Sequence, residues 1–237
     1  MFIFPLLASS QTIVSWNIKD LGESKFRKDT ICPQIASVIK QSNADIIAIQ
    51  EVVLSKYGDS AVAQIAGVLN MEYILSKRTT GKGAERYVYL WNKKVELEWA
   101  SLDNSVEHLF NREPFCASFC YQDSIQIELK QVHLVPKSKN PQAEIAQLKK
   151  YDNGIICGDF NLTDKHLVYI PLYRNFNFPM KGELTSLKKN GELNQSYDHF
   201  LVGKEYQTED AYAFFYPYQW DRWALSDHLP IVLILKQ

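Results

Sequence analysis

Unbroken apolar runs that stop abruptly at polar residues constrain the fold of this chain most. The run "DIIAIQEV" (45–52) shows no alternation between apolar and polar positions until its end. Such a run fits a strand buried on both faces, because neither face carries side chains suited to water. "GIICGDF" (154–160) and "LPIVLIL" (229–235) read in the same way. Further strands are expected at 12–18, 71–76, 86–91, 95–101, 114–121, 124–134 and 197–203. Helices are expected at 27–41, where Ile31, Ile35, Val38 and Ile39 recur at helical spacing, at 60–69, and from Pro141 to about Lys150. That many strands overfill one comfortable open sheet. Two packed sheets with helices outside, an α/β sandwich of layers, follow.

The 237 residues suit one large domain, and 46% hydrophobic residues can fill a sizeable core. No repeat or long linker divides the chain. Net charge is −1, so any footprint for nucleic acid must be local. Cys32, Cys116, Cys120 and Cys157 fit no zinc spacing. Cys116 and Cys120 sit too far apart along one strand to bridge, and all four are expected to be buried thiols. The opening "MFIFPLLASS" is too short to span a membrane and lacks a basic n-region. Its "FPLLASSQ" is similar to the tail of a signal peptide, which points to a secreted or periplasmic origin; the alternative is an apolar tail packed on the domain. Residues 1–11 are therefore set apart from a single domain at 12–237.

The strand ends carry the chemistry. Asn17, Glu51, His133, Asp159, Asn161, Asp198, Asp227 and His228 each lie beside an apolar run. Singly, each is a turn, cap or core residue. Together they make a set of oxygen donors and imidazoles at the loops where a rigid scaffold presents function. Carboxylates and amides suit a hard cation such as Mg²⁺ or Mn²⁺. Imidazoles add proton transfer. The chemistry that uses both is phosphoester hydrolysis, in which metal offsets phosphoryl charge and a base activates water.

At these residues the chain resembles the endonuclease/exonuclease/phosphatase superfamily. "SWNIKDLG", "IIAIQEV", "GDFN", "SYDHFLV" and "LSDHLPI" occur in the order of its motifs. "NIKDLGESK", "AERYVYLWN", "FNREPF" and "VHLVP" with "AEIAQL" are most similar to the deoxyribonuclease I branch. The resemblance implies a four-layer α/β sandwich with two central mixed β-sheets flanked by helices. It implies a metal-dependent, sequence-nonspecific DNA endonuclease, working as a monomer through backbone contacts and without a membrane. By the same resemblance Glu51 is the principal metal ligand, with Asn17 near the metal and the scissile phosphate. Asp159 and Asn161 polarise water and hold phosphate. His133 and His228 are the catalytic histidines, and Glu85 and Asp198 are the carboxylates that orient them. Each carboxylate is expected to favour the protonated form of its histidine. Asp227 lies near the metal, and Arg112 reaches the substrate. Mg²⁺ or Mn²⁺ is the implied cofactor, with Ca²⁺ a further candidate.

Departures accompany the match. Val53 stands where the branch has a minor-groove arginine. "TTGKGAERY" lacks the branch's sugar-stacking tyrosine, and "SVEHLFNREP" lacks its small disulfide loop. Lys19, Lys25, Arg27, Lys28, Lys77, Arg78 and Lys82 are alternative backbone contacts, although charges usually face water. His108, His166 and His199 match no catalytic position. Tyr216, Trp220 and Trp223 offer a stacking platform for bases, but a packed loop is the better reading. A phosphatase or phospholipase acting on a smaller phosphoester is the competing activity. An inactive binding module is the alternative of another class.

Overall fold

A computed structural model describes residues 10–81, 85–122, 124–167, 174–214 and 221–236. The strands of the first half are β1 (Gln11–Leu21), β2 (Ile46–Val53), β3 (Glu72–Leu75), β4 (Glu85–Trp91), β5 (Val95–Leu102) and β6 (Phe115–Tyr121). Those of the second are β7 (Ile125–His133), β8 (Ile155–Asp159), β9 (Phe176–Asn177), β10 (Asp198–Gly203), β11 (Thr208–Ala213) and β12 (Ile231–Leu235). The helices are α1 (Glu23–Phe26), α2 (Ile31–Gln41), α3 (Lys56–Leu69), α4 (Pro141–Gln147) and α5 (Asp164–Leu167). None of the described helices is long and apolar enough to cross a membrane.

Two six-stranded sheets form, in the orders β11-β12-β1-β2-β4-β3 and β5-β6-β7-β8-β10-β9. Each contains one parallel pair at its centre, β1 with β2 and β7 with β8. The other pairs are antiparallel, so both sheets are mixed. Ile13, Ile46, Tyr89, Phe119, Leu129 and Phe200 pack between the sheets. Ile35 and Ile39 of α2 and Ile65 of α3 cover the outer face of the first sheet. Ile145 of α4 and Leu167 of α5 cover that of the second. Helix, sheet, sheet and helix make the four-layer sandwich. The runs in β2 and β8 are apolar throughout because both faces are covered: Ile46 points between the sheets and Ile47 towards the helices.

Local signals explain the boundaries. Pro33 is tolerated only in the first turn of a helix, so α2 starts at Ile31 rather than near residue 27. α3 starts at Lys56, earlier than its apolar periodicity indicates, because the Ser55 side chain accepts from Gly58 N at 3.2 Å. Asn70, in the left-handed region at φ +53°, ends it. Strand β11 escapes sequence reading because "TEDAYA" has no clear apolar face. All four cysteines are free thiols; Cys32, Cys116 and Cys157 are buried as expected, whereas Cys120 is partly exposed.

Candidate active site

The register of the sheets gathers the polar strand ends at one edge. In the parallel pairs, Asn17 lies beside Gln50, next to Glu51, and His133 lies beside Asp159. Both pairs present their C-terminal ends there. The antiparallel neighbours enter from the same edge, with Asp198 opposite Asp159 and Glu85 opposite Val53. The segment before β12 adds Asp227 and His228. Ser226 ties it down, donating to Asn17 O at 2.7 Å and accepting from His228 N at 3.0 Å. Trp16 Nε1 donates to His228 O at 3.0 Å.

The backbone is bent to serve these side chains. Lys19, Asp20, Glu51 and Asn161 all hold positive φ, between +49° and +62°. Left-handed backbone costs a non-glycine residue on the order of 1 kcal/mol and tends to persist where function needs it. The bulge between Ile49 and Val52 turns Glu51 outwards while Gln50 stays buried. In "GDFN" the glycine is required. Gly158 has φ +136°, and a Cβ there would collide with the Val132 carbonyl oxygen of β7.

Two acid–imidazole pairs flank Asp159. His133 Nδ1 lies 3.2 Å from Glu85 Oε2, and His228 Nδ1 lies 2.8 Å from Asp198 Oδ2. Each Nε2 stands 3.7 Å from Asp159 Oδ2, and His133 Nε2 is also 3.7 Å from Glu51 Oε1. The Asn17 amide donates to both Glu51 Oε1, at 2.9 Å, and Asp159 Oδ2, at 3.0 Å. Glu51 Oε2 accepts from Asp20 N at 3.0 Å. Asn161 donates to Leu134 O at 2.9 Å, and its backbone N–H to Asp159 Oδ1 at 2.7 Å.

The two imidazoles titrate in opposite directions. Burial, and then the Arg112 guanidinium, push His133 down to about 4, against the pull of Asp159 and Glu51. This reverses the expectation from sequence for that histidine. Arg112 also pairs with Glu85, the carboxylate that meets the ring at Nδ1. Burial also opposes protonation of His228, but Asp198 and Asp159 outweigh it and raise this group to about 10. Burial lifts the Asp227 carboxyl, yet Lys19, His228 and Arg222 together hold it below its ordinary value.

The donor set fits a hard divalent cation. Ligand atoms of Glu51, Glu85 and His133 lie within 4.8 Å of one another, and so do those of Asp159, Asp198 and His228. Asp198 Oδ1 is buried without a hydrogen-bond partner among the described residues. Glu51 and Asp159 converge on one amide, and carboxylates this close favour a shared cation. Glu51 is the more open of the two, with 21% of its side chain exposed against 2% for Asp159.

Each residue singled out in the sequence can now be placed. Asn17, Glu51, Glu85, His133, Asp159, Asn161, Asp198 and His228 come together. Arg112 lines the same edge but faces inwards, donating to His133 O at 3.1 Å and pairing with Glu85. Asp227 falls outside both acid–histidine groups, and its Oδ2 is held by Lys19 at 2.9 Å and Arg222 at 3.0 Å. Val53 packs on Gly22, where a Cβ would come within 2.9 Å of Val53 Cγ2. Lys25 is buried, donating to Leu225 O at 2.7 Å, and Arg27 is engaged by Glu23 and Tyr57. His199 is buried with Nε2 2.8 Å from Leu162 O, His166 Nδ1 lies 2.8 Å from Thr163 Oγ1, and His108 is exposed. Trp223 is 68% exposed, which overturns the packed-loop reading for that residue. Residues 1–9, Lys82, Tyr216 and Trp220 lie outside the described residues.

Three supporting residues escaped sequence reading. Thr185 Oγ1 donates to Asp198 Oδ2 at 2.7 Å and so fixes the carboxylate that fixes His228. Arg222 holds Asp227. Glu144 of α4 accepts from Asn111 N at 2.6 Å and Val135 N at 2.7 Å, bracing the loops that carry Arg112 and follow His133. Only the threonine's place in a polar stretch before "SYDH" hinted at a role, and such stretches are common.

Comparison with known proteins places the fold. Residues 14–229 match the Endonuclease/Exonuclease/phosphatase family. A curated relative, Deoxyribonuclease-1-like 1 of Cricetulus griseus, is 26% identical over 262 residues, covering 95% of this chain and 84% of the relative. Among solved structures, an endonuclease/exonuclease/phosphatase family protein from Bacteroides thetaiotaomicron superposes with TM-score 0.72 at 18% identity, covering 97% of this chain and 98% of that one. The mannosyl-6-phosphatase of the same organism superposes with TM-score 0.68 at 18% identity, covering 95% and 99%. The carboxylate–imidazole edge therefore lies within a match that spans nearly the whole protein, and the chain belongs to the endonuclease/exonuclease/phosphatase family, whose members hydrolyse phosphoesters.

Proposed function

We propose that the protein is a divalent-metal-dependent, sequence-nonspecific endonuclease that hydrolyses DNA phosphodiester bonds. The observation that carries this reading is the pair of carboxylate-held imidazoles that face Asp159 from either side, each with Nε2 3.7 Å from its Oδ2. The similarity to Deoxyribonuclease-1-like 1 supports DNA as the substrate. The reading takes the protein as a monomer that grips the nucleic-acid backbone.

Each side chain then has a task. With Nδ1–H directed at Glu85, neutral His133 keeps the lone pair on Nε2, where it accepts a proton from attacking water. His228, charged and held by Asp198, donates from Nε2 to the leaving oxygen. Asp159 orients the water between them, and the Asn161 and Asn17 amides hold the groups around it in place. Glu51, with Asn17 beside it, would hold Mg²⁺ or Mn²⁺; Asp227 is held ready by Lys19 and Arg222 at the same edge. The cation supplies charge neutralisation at the phosphoryl oxygens.

Glu51→Gln keeps the size of the side chain and removes its charge. It should lower plasmid nicking by at least about a hundredfold, as loss of metal-based charge stabilisation would. Excess EDTA should abolish nicking, and Mg²⁺ or Mn²⁺ should restore it. Full activity in EDTA would sink the metal assignment. A second reading, a phosphatase of a smaller phosphoester, draws on the mannosyl-6-phosphatase likeness and on Val53. Turnover of a generic phosphomonoester without plasmid nicking would favour it.

A further inference from the structure

We propose that the cleft formed by Lys19, Ser24, Lys25, Lys28 and Trp223 is a subsite for the nucleotide next to the cleaved bond. The lysines take its phosphate, and the Trp223 ring stacks on its unpaired base. The proposal rests on the nuclease reading and extends it to single-stranded or frayed substrates.

The cleft has a volume of about 140 Å³ and is also lined by Asp20 and Ala224. Three lysines and one aspartate line it, and of the lysines Lys19 is already paired with Asp227. Lys25 is the telling member, with only 6% of its surface exposed. Its ammonium has three donors, and the hydrogen bond it makes is to Leu225 O at 2.7 Å. No described carboxylate pairs with it at ion-pair distance. A buried ammonium with donors to spare is costly unless an anion completes it. Burial holds its amine down to about 8, the direction an arriving phosphate would reverse. Lys28 is exposed and has no ion-pair partner among the described residues.

Trp223 stands at the mouth. Its backbone is fixed by Asp221, whose Oδ1 accepts from Trp223 N at 2.8 Å, while the residue as a whole remains 68% exposed. Lys19 Nζ lies 5.9 Å from the ring centroid, and Arg222 Cζ lies 5.0 Å from it. Lys19 also reaches Asp227 at 2.9 Å, beside His228, so the cleft opens next to the reacting groups. An exposed indole among cations is the arrangement on which single-stranded bases stack without sequence preference. Bases inside a duplex are already stacked on each other and cannot use it.

The test is binding of a labelled single-stranded oligonucleotide in EDTA, together with turnover. Trp223→Ala should weaken binding by about 5- to 100-fold, the range typical of loss of one base stack, and Trp223→Phe should retain most of it. The ratio of kcat/KM for the oligonucleotide to that for bis(p-nitrophenyl) phosphate should fall with the same variant. Lys28→Ala should make the slope of log affinity against log salt shallower by about 0.7. Wild-type affinity in Trp223→Ala, or a Phe variant as weak as the Ala one, overturns the subsite. Trp223-dependent binding without cleavage would keep the subsite and refute the nuclease reading. Cleavage that ignores Trp223 would do the reverse.

Discussion

At the scale of single residues, the two histidines are alike in sequence and opposite in chemistry. Both have a carboxylate at Nδ1 and Asp159 near Nε2. Burial opposes protonation of both, but at His133 the Arg112 guanidinium adds to it, whereas at His228 the Asp198, Asp159 and Asp227 carboxylates overcome it. Arg112 occupies Glu85, whereas among the described residues Asp198 has only Thr185 as an additional donor, and its other oxygen is unpartnered there. His228 therefore stays charged until pH rises through about 10, above its ordinary value of 6.5. Stability from this raised group is fully present below about 6.5 and is lost as pH climbs through 10. Activity that depends on the same proton should show an alkaline limb in that window. Asp198→Asn removes the charge that holds the proton and should move the limb towards neutrality. A pH profile of kcat checks this; an unmoved limb would mean that another group titrates there.

At the scale of elements, the site depends on how closely β8 approaches β7. Gly158 allows the approach, at a φ of +136° that side chains rarely adopt. The same turn of chain directs Asp159 into the cleft and Phe160 into the core beneath α5. Gly158→Ala adds both a backbone clash and conformational strain. It should destabilise the protein by about 2–4 kcal/mol, read as a lower urea midpoint, and should depress activity beyond the loss of folded protein because Asp159 shifts. Ala tolerated at wild-type stability would show that β7 can retreat.

At the scale of the whole molecule, the cleft has one wall from each sheet, so the sheets must not slide. A buried polar bridge crosses between them directly under Glu51. Gln50 Nε2 donates to Gln131 Oε1 at 2.9 Å and to Ser15 Oγ at 3.2 Å, and Gln131 Nε2 donates to Val88 O at 3.2 Å. Both glutamines are fully buried. Gln131→Leu removes the Gln50 amide's acceptor on the other sheet, leaving it Ser15 Oγ and Ala48 O, and should cost about 0.5–1.5 kcal/mol. Gln50→Leu with Gln131→Leu should recover part of that loss while lowering kcat, since apolar packing replaces the energy but not the register. A double-mutant cycle in urea, run beside turnover, separates the two effects; additive losses would mean that the bridge is not a unit.

What the chain determines by itself is its local grammar. Apolar runs specify most strands, Ser55, Asn70 and Pro33 help set helix ends, and the runs break into Asn17, Glu51, His133, Asp159 and Asp198 at their tips. These are short-range properties, readable because burial on two faces leaves its mark on consecutive residues. The tertiary structure alone decided the rest. It placed His133 beside Asp159 and Asp198 opposite it, through strand register. It largely buried both imidazoles, set Arg112 near His133 and Asp198 on His228, and so pushed their titrations in opposite directions. It buried Lys25 and exposed Trp223. Each of these depends on groups far apart in the chain, and electrostatics and solvent access act through space, where neighbours in sequence carry no record of them.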